Sequence, residues 1–166
     1  MAPALFDRFV PNFQSGYSPD EVAEARKHIG KLDWDAVMRD TVAAADLLRR
    51  EGPVATIGFC LGGSVSYLAA VRLPGLAAAV CYYGGQIVRF ADEAPRCPVQ
   101  MHFGEQDHAI PLADVEAIRA KRPDVEVHTY PAGHGFNCDE RASFEPASAK
   151  LAWGRSLAFL EQHLRR

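Results

Sequence analysis

Residues 56–63 read Thr56-Ile57-Gly58-Phe59-Cys60-Leu61-Gly62-Gly63, an apolar strand that runs through a cysteine into the start of a helix. A chain that turns this sharply drives the residue at its apex toward strained backbone angles. The glycines two before and two after the cysteine, Gly58 and Gly62, remove Cβ atoms that would meet the neighbouring strand and helix. The helix beyond aims its first N–H groups and the positive end of its dipole at the apex, which favours a thiolate and an oxyanion beside it. The competing reading is a buried structural cysteine, since free Cys is among the most buried residue types. Small glycine-flanked turns rarely need a thiol, so Cys60 is read as a nucleophile.

Working outward, apolar strands alternate with helix-length segments. Strands are expected at residues 54–58, 78–83, 99–103 and 125–130. Helices are expected at 62–71, at 112–121 after Pro111, and at 146–164, the last with Trp153, Leu157, Leu160 and Leu164 on one face. Upstream, Ser18-Pro19-Asp20-Glu21 carries a capping box, with Gly30 as the stop. A second helix is expected over residues 33–50, its positions Val37, Thr41, Ala44, Ala45 and Leu48 at helical spacing and Gly52-Pro53 as its end. Residues 1–13, apolar and broken by Pro3 and Pro11, read neither as helix nor as central strand. Strands separated by helices imply an α/β fold with a parallel sheet covered on both sides. No repeat or linker interrupts residues 1–166, which read as one domain.

A chain of 166 residues is long enough for one real core. Its net charge of −3 and scattered Lys and Arg give no sign of a nucleic-acid partner. No apolar run approaches the ~20 residues that span a bilayer, and residues 1–13 lack a basic segment followed by an apolar one. The expectation is a cytoplasmic chain with no membrane partner. The four cysteines, Cys60, Cys81, Cys97 and Cys138, are spaced too irregularly for a disulfide framework and read as free thiols. Cys81 lies in an apolar strand as core filler, and Cys97, before Pro98, is equally structural.

In a doubly wound sheet the chemistry sits in loops at the carboxyl ends of the strands. Three such loops carry suitable groups: the one holding Cys60, Gly104-Glu105-Gln106-Asp107-His108 after the third strand, and Gly133-His134-Gly135-Phe136 after the fourth. A free thiol is mostly protonated at neutral pH, so an imidazole must take its proton or stabilise its thiolate. His134, between two glycines, is placed to do so. Asp107 would hold the far ring nitrogen and fix the tautomer, and Leu61 would offer its N–H to an oxyanion hole. Each has a duller competitor: His134 as a loop histidine bonded to a carbonyl, Asp107 as a cap for the helix after Pro111, with Glu105 as a rival acid. His102, inside a strand, and His108 read as structural. His134 and Cys138 have the spacing of a metal half-site, but no second close pair accompanies them, so no metal is expected. Nucleophile, acid and histidine follow in the chain order of α/β-hydrolases.

These three motifs, with Tyr82-Tyr83-Gly84 after the second strand, resemble the dienelactone hydrolase (carboxymethylenebutenolidase) family over most of the chain. The resemblance implies an α/β-hydrolase fold, a Cys-His-Asp triad at Cys60, His134 and Asp107, and no cofactor. It places Arg8, Tyr83 and Phe136 at the substrate. It also implies a small-molecule partner, an unsaturated lactone or activated ester from the catabolism of aromatic compounds, opened through a thioester to the cysteine. An enol ester has a stabilised leaving group, which suits a thiol nucleophile.

The sequence departs from the family pattern in two respects. The family carries several strands ahead of the segment matching residues 3–8, and these supply a second oxyanion N–H and a glutamate contacting the cysteine. The sheet is therefore expected to lack those N-terminal strands, leaving the strand at 54–58 on an open edge that a second copy would cover as a homo-oligomer. Of the family's two arginines for the substrate carboxylate, Arg8 matches one. Cys138 stands where the other is expected, with Arg141 nearby as a substitute. Two alternatives to a hydrolase remain at this level: an inactive remnant serving as a binding or interaction module, and a redox thiol at Cys60, the latter without a resolving cysteine close by.

Overall fold

In the computed structural model, which describes residues 1–165, the chain forms two units, Met1–Gly52 and Pro53–Arg166. In the first, Ser18 opens α1 (Pro19–Ile29): its hydroxyl accepts the Glu21 N–H while the Glu21 carboxylate accepts the Ser18 N–H, the reciprocal cap expected from the motif. Gly30 ends α1 at φ −65°, so the stop makes no use of the glycine's conformational freedom. Asp33 caps α2 (Trp34–Leu48) by accepting the Asp35 N–H. Val37, Thr41 and Ala45 are buried as their spacing predicts, whereas Leu48, in the last turn, is exposed. Residues 1–13 form neither helix nor strand. Phe6, Phe9 and Phe13 gather instead around the His28 ring of α1, at centroid distances of 5.8, 5.8 and 4.7 Å.

The second unit runs β1 (Ala55–Phe59), α3 (Leu61–Arg72), β2 (Ala78–Tyr82), α4 (Ile87–Phe90), β3 (Val99–Gly104), α5 (Leu112–Lys121), β4 (Glu126–Tyr130) and α6 (Pro146–Leu164). The strands form one parallel sheet in the order β1-β2-β3-β4, with Phe59 opposite Tyr82, Tyr82 opposite His102, and His102 opposite His128. The expected α/β architecture is therefore present, with most strand and helix limits within a residue of the sequence reading. The four-residue α4 has no sequence signal strong enough to announce it.

Every residue of β2 and β3 is buried. Successive strand side chains point to opposite faces, so both faces of the central strands are covered. Helix α3 packs on β1 and β2, and α6 packs on β2 and β3. In α3 residues Gly63 to Val71 are all buried, which suits a helix apolar all round. At the edge strand β1, Ile57 and Phe59 are each 40% exposed. No helix among the described residues is long and apolar enough to cross a membrane.

Helix α6 corrects an expectation. Trp153 and Leu157, assigned to its packed face, are exposed, and the helix instead buries Ser148, Ala149, Ala152, Ser156 and Phe159. The reason lies in the sheet. Tyr82 and His102 carry polar atoms into the interface, where the Ser156 hydroxyl lies 2.7 Å from the Tyr82 hydroxyl and 3.0 Å from His102 Nε2. His102 Nδ1 meets the Tyr130 hydroxyl at 2.8 Å. A buried polar group left unmatched is costly, so the small face bearing Ser156 turns inward in place of the more apolar one. Burial, with the nearby charges of His128 and Arg155, pushes His102 down to about 3. It is thus a neutral hydrogen-bonding element of the core, consistent with its structural reading.

Candidate active site

Cys60 occupies the turn between β1 and α3 with φ 54° and ψ −114°, a conformation costly for a residue with a Cβ. The turn is held shut from below. The Cys60 N–H donates to the Tyr82 carbonyl, and the Cys60 carbonyl accepts the N–H groups of Gly63 and Ser64. A Cβ on Gly58 would lie 1.9 Å from the Gly62 carbonyl oxygen, and one on Gly63 would lie 2.4 Å from that of Tyr82. A Cβ on Gly62 would meet nothing within 4 Å. The steric requirement expected of Gly62 therefore belongs to Gly63, where helix and neighbouring strand approach most closely. The Cys60 side chain does not cap α3, which leaves its sulfur to other partners.

Those partners come from the loops after β3 and β4. His134 Nε2 lies 3.2 Å from Cys60 Sγ, and His134 Nδ1 lies 2.7 Å from Asp107 Oδ2. The other Asp107 oxygen accepts the N–H groups of Ala109 and Ile110. Asp107 thus both pins its own loop and orients the imidazole; it does not cap α5, whose N-cap is Pro111 with no side-chain partner, so the capping competitor does not hold. Its carboxylate is fully shielded, and the His134 side chain is 14% exposed. Glu105 and His108 are exposed and outside this line.

Two opposing pKa shifts describe the pair. Burial pushes the Cys60 thiol up, but the hydrogen bond and charge of His134, the Leu61 N–H and the charge of Arg141 outweigh it, so the thiol sits below its ordinary value of 9.0. Burial alone would lower His134, yet its hydrogen bonds to Asp107 and Cys60, and their charges, raise it to about 9. Both directions favour a thiolate beside an imidazolium near neutral pH. By contrast, burial raises Cys81, and it raises Cys97 to about 11.

Tyr83 follows β2 at φ 37°, and its ring lies 5.1 Å from that of His134 and 5.5 Å from that of Phe136. Both aromatics are buried, Tyr83 packing between the imidazole and Phe136. Arg141 comes from the segment between β4 and α6. A Cβ on Gly135 (φ 80°) would lie 2.7 Å from Arg141 Cδ, and the guanidinium charge acts on both Cys60 and Tyr83. Arg8 lies in the first unit, where its guanidinium pairs with Asp40 of α2. Cys138 is half-buried and donates its backbone N–H to the Gly135 carbonyl. Among the described residues no group of three or more His, Cys, Asp or Glu is arranged to hold a metal ion. One polar partner of the site escaped the sequence reading: the Ser143 hydroxyl donates to the His134 carbonyl at 2.6 Å. It stands nine residues from the histidine in no recognisable motif.

A parallel sheet that carries a cysteine on its strand-to-helix turn, with an acid and a histidine on the next two strand-end loops, defines an α/β-hydrolase. The sequence model of the dienelactone hydrolase family matches residues 1–164, and the chain belongs to that family. Two proteins named "Putative carboxymethylenebutenolidase" are similar to it. That of Synechocystis is 32% identical across 99% of this chain, and that of Escherichia coli is 37% identical across 81%. The chain spans 75% of the first relative's length and 57% of the second's. Among solved structures, one titled "Putative Dienelactone Hydrolase" from Klebsiella pneumoniae superposes with a TM-score of 0.82 at 32% identity. The match covers 97% of this chain and 74% of that one.

Proposed function

We propose that the chain is a hydrolase that opens an activated ester or a lactone of the dienelactone kind through a cysteine acyl-enzyme, with Cys60, His134 and Asp107 as the catalytic triad. The observation that carries this reading is the unbroken line from Asp107 Oδ2 through both His134 nitrogens to Cys60 Sγ, at 2.7 and 3.2 Å. The Cys60 thiolate attacks the carbonyl carbon, and the Leu61 N–H at the start of α3 meets the developing oxyanion. As the tetrahedral intermediate collapses, His134 gives its proton to the leaving oxygen and a thioester to Cys60 remains. With the thiolate's charge gone, the imidazole takes a proton from water, hydroxide attacks the thioester, and the acid is released with the thiolate restored. Asp107 keeps the proton on Nδ1 throughout, so that Nε2 faces the reacting atoms. An enol lactone suits this site because its leaving oxygen is that of an enolate, stabilised by conjugation, and needs only a modest push from sulfur. Arg141, whose charge already acts on Cys60, is the cation offered to a substrate carboxylate, with Tyr83, backed by Phe136, beside the reacting groups.

The test is turnover of p-nitrophenyl acetate and of an enol lactone by the 166-residue chain and by its Cys60→Ala, His134→Ala and double variants. Each single variant is expected to lose activity by about 10³-fold or more, and the double variant by no greater factor, because the residues act as a unit. Turnover in Cys60→Ala near that of the parent would remove the reading. A parent chain with no turnover of either substrate would favour an inactive binding module.

A further inference from the structure

The backbone that carries His134 has little intrinsic stiffness. It lies between Gly133 and Gly135, the latter at φ 80°, and a Cβ on Gly133 would find its nearest neighbours only at 3.8 Å, the Gln106 carbonyl oxygen and Ser143 Cβ. Asp107 and Cys60 hold the ring at its two nitrogens, but hydrogen bonds to ring nitrogens do not fix where the Cα stands. Something must hold the main chain.

From this geometry we infer that Ser143 is a positioning residue for the triad: its hydroxyl, by donating to the His134 carbonyl at 2.6 Å, ties the excursion of residues 135–143 back onto the histidine and keeps Nε2 within reach of the thiolate. The excursion is closed in short steps. Cys138 N–H donates to the Gly135 carbonyl, Arg141 N–H to the Cys138 carbonyl, and Phe144 N–H to the Arg141 carbonyl, while Glu145 N–H returns to the Phe136 carbonyl. These bonds lie downstream of His134; upstream, Gln106 N–H donates to the Ala132 carbonyl, two residues short of the histidine. Between these anchors, the Ser143 hydroxyl bonds the histidine's own carbonyl.

The reach matters because the reactive state is a coupled pair. The Cys60 thiol is lowered because the His134 hydrogen bond and charge, together with the Leu61 N–H and the Arg141 charge, outweigh burial. A small displacement of the imidazole weakens that hydrogen bond while leaving the thiol as buried as before. Loss of the Ser143 bond therefore returns protons to sulfur, and its signature is a change in Cys60 acidity beyond any loss of fold stability. The inference rests on the triad reading, but its readout is thiol acidity and needs no turnover.

The experiment follows iodoacetamide labelling of Cys60 against pH, by peptide mass mapping, in the folded parent, Ser143→Ala and Ser143→Thr, with thermal melting of each. Threonine keeps the hydroxyl. In Ser143→Ala the midpoint of the labelling profile is expected to move to higher pH, and the rate near pH 7 to fall roughly three- to tenfold, the range one neutral hydrogen bond is worth. Ser143→Thr is expected to restore the parent profile. If turnover of p-nitrophenyl acetate is present, kcat should fall by a similar factor with KM little changed. A lowered melting temperature with an unmoved labelling profile would reduce Ser143 to a structural contact and overturn the inference. So would an alanine profile that matches the parent at unchanged stability. Loss of turnover in Cys60→Ala without any Ser143 effect on labelling would sink this inference and leave the triad standing. Parent-like turnover in Cys60→Ala would sink the triad.

Discussion

The turn at Gly58 to Gly63 and the helix α6 are both parts of the same unit, yet the first is far more legible, its one misreading being that the glycine required at the helix start is Gly63 and not Gly62. At the turn, the constraint is a clash between backbone atoms: a Cβ on Gly58 or Gly63 would stand 1.9 or 2.4 Å from a carbonyl oxygen. No choice of neighbouring side chain relieves that, so the sequence must show glycine. On α6 the constraint is a match to partners that come from other strands. Trp153 and Leu157 form the more obvious apolar stripe, but the helix turns Ser156 toward Tyr82 and His102. Steric requirements are written locally, whereas the face a helix buries is written partly in its partner.

The sharpest way to break this contrast is to fill the turn. Gly58→Ala is expected to destabilise the fold by about 3 kcal/mol, at the upper end of overpacking costs, since the clash is with main chain. Gly62→Ala, with open space at its Cβ, should be neutral or stabilising by up to about 1 kcal/mol. Urea unfolding of the two variants checks both. If they shift the midpoint equally, the clash is not what fixes the turn.

The chemistry of the turn provides the next test. Because burial is the largest influence on the Cys60 thiol and acts upward, and His134 supplies the two largest opposing ones, His134→Ala should raise its pKa. The parent should therefore begin to hold a thiolate below pH 9 and lose its imidazolium partner as pH rises through about 9, while the variant labels more slowly at neutral pH. A labelling midpoint unchanged by His134→Ala would mean that the imidazole does not govern the sulfur.

Smaller effects belong to α6. Ser156→Ala removes the buried partner of the Tyr82 hydroxyl, while His102 Nε2 keeps Gln100 Oε1, and should cost about 1–3 kcal/mol. Trp153→Gln and Leu157→Gln, on the exposed side, should each stay within about 0.5 kcal/mol. A Leu157→Gln loss larger than that of Ser156→Ala in thermal melts would restore the apolar stripe as the packed face.

The same distinction explains how much of the molecule was readable. The alternation of strands and helices, the capping box at Ser18 and the three loops at the strand ends all rest on local rules of periodicity, capping and turn chemistry. Cys60, Asp107 and His134 were legible because glycine and loop context surround each of them, and the structure brings all three together. The second use of Asp107 was not, because the sequence offers it as a cap for the helix after Pro111, whereas Oδ1 instead accepts two N–H groups of its own loop, short of that helix, while Oδ2 holds the imidazole. Ser143 was invisible for a related reason: a serine becomes a brace only when the chain folds back to put its hydroxyl against a particular carbonyl. Helix α4 has four residues, too few for any period to emerge.

The account turns on a covalent thioester at Cys60, and acid quenching during turnover of a p-nitrophenyl ester tests it most directly. At about pH 5, where the imidazole stays protonated and activates water poorly, the account predicts that intact-mass spectrometry finds one acyl group added to the chain. Peptide mapping should place it on Cys60, hydroxylamine should remove it, and Cys60→Ala should lack it. Cys60-dependent turnover with no adduct at any quench time, or an acyl group carried on another residue, would contradict the account.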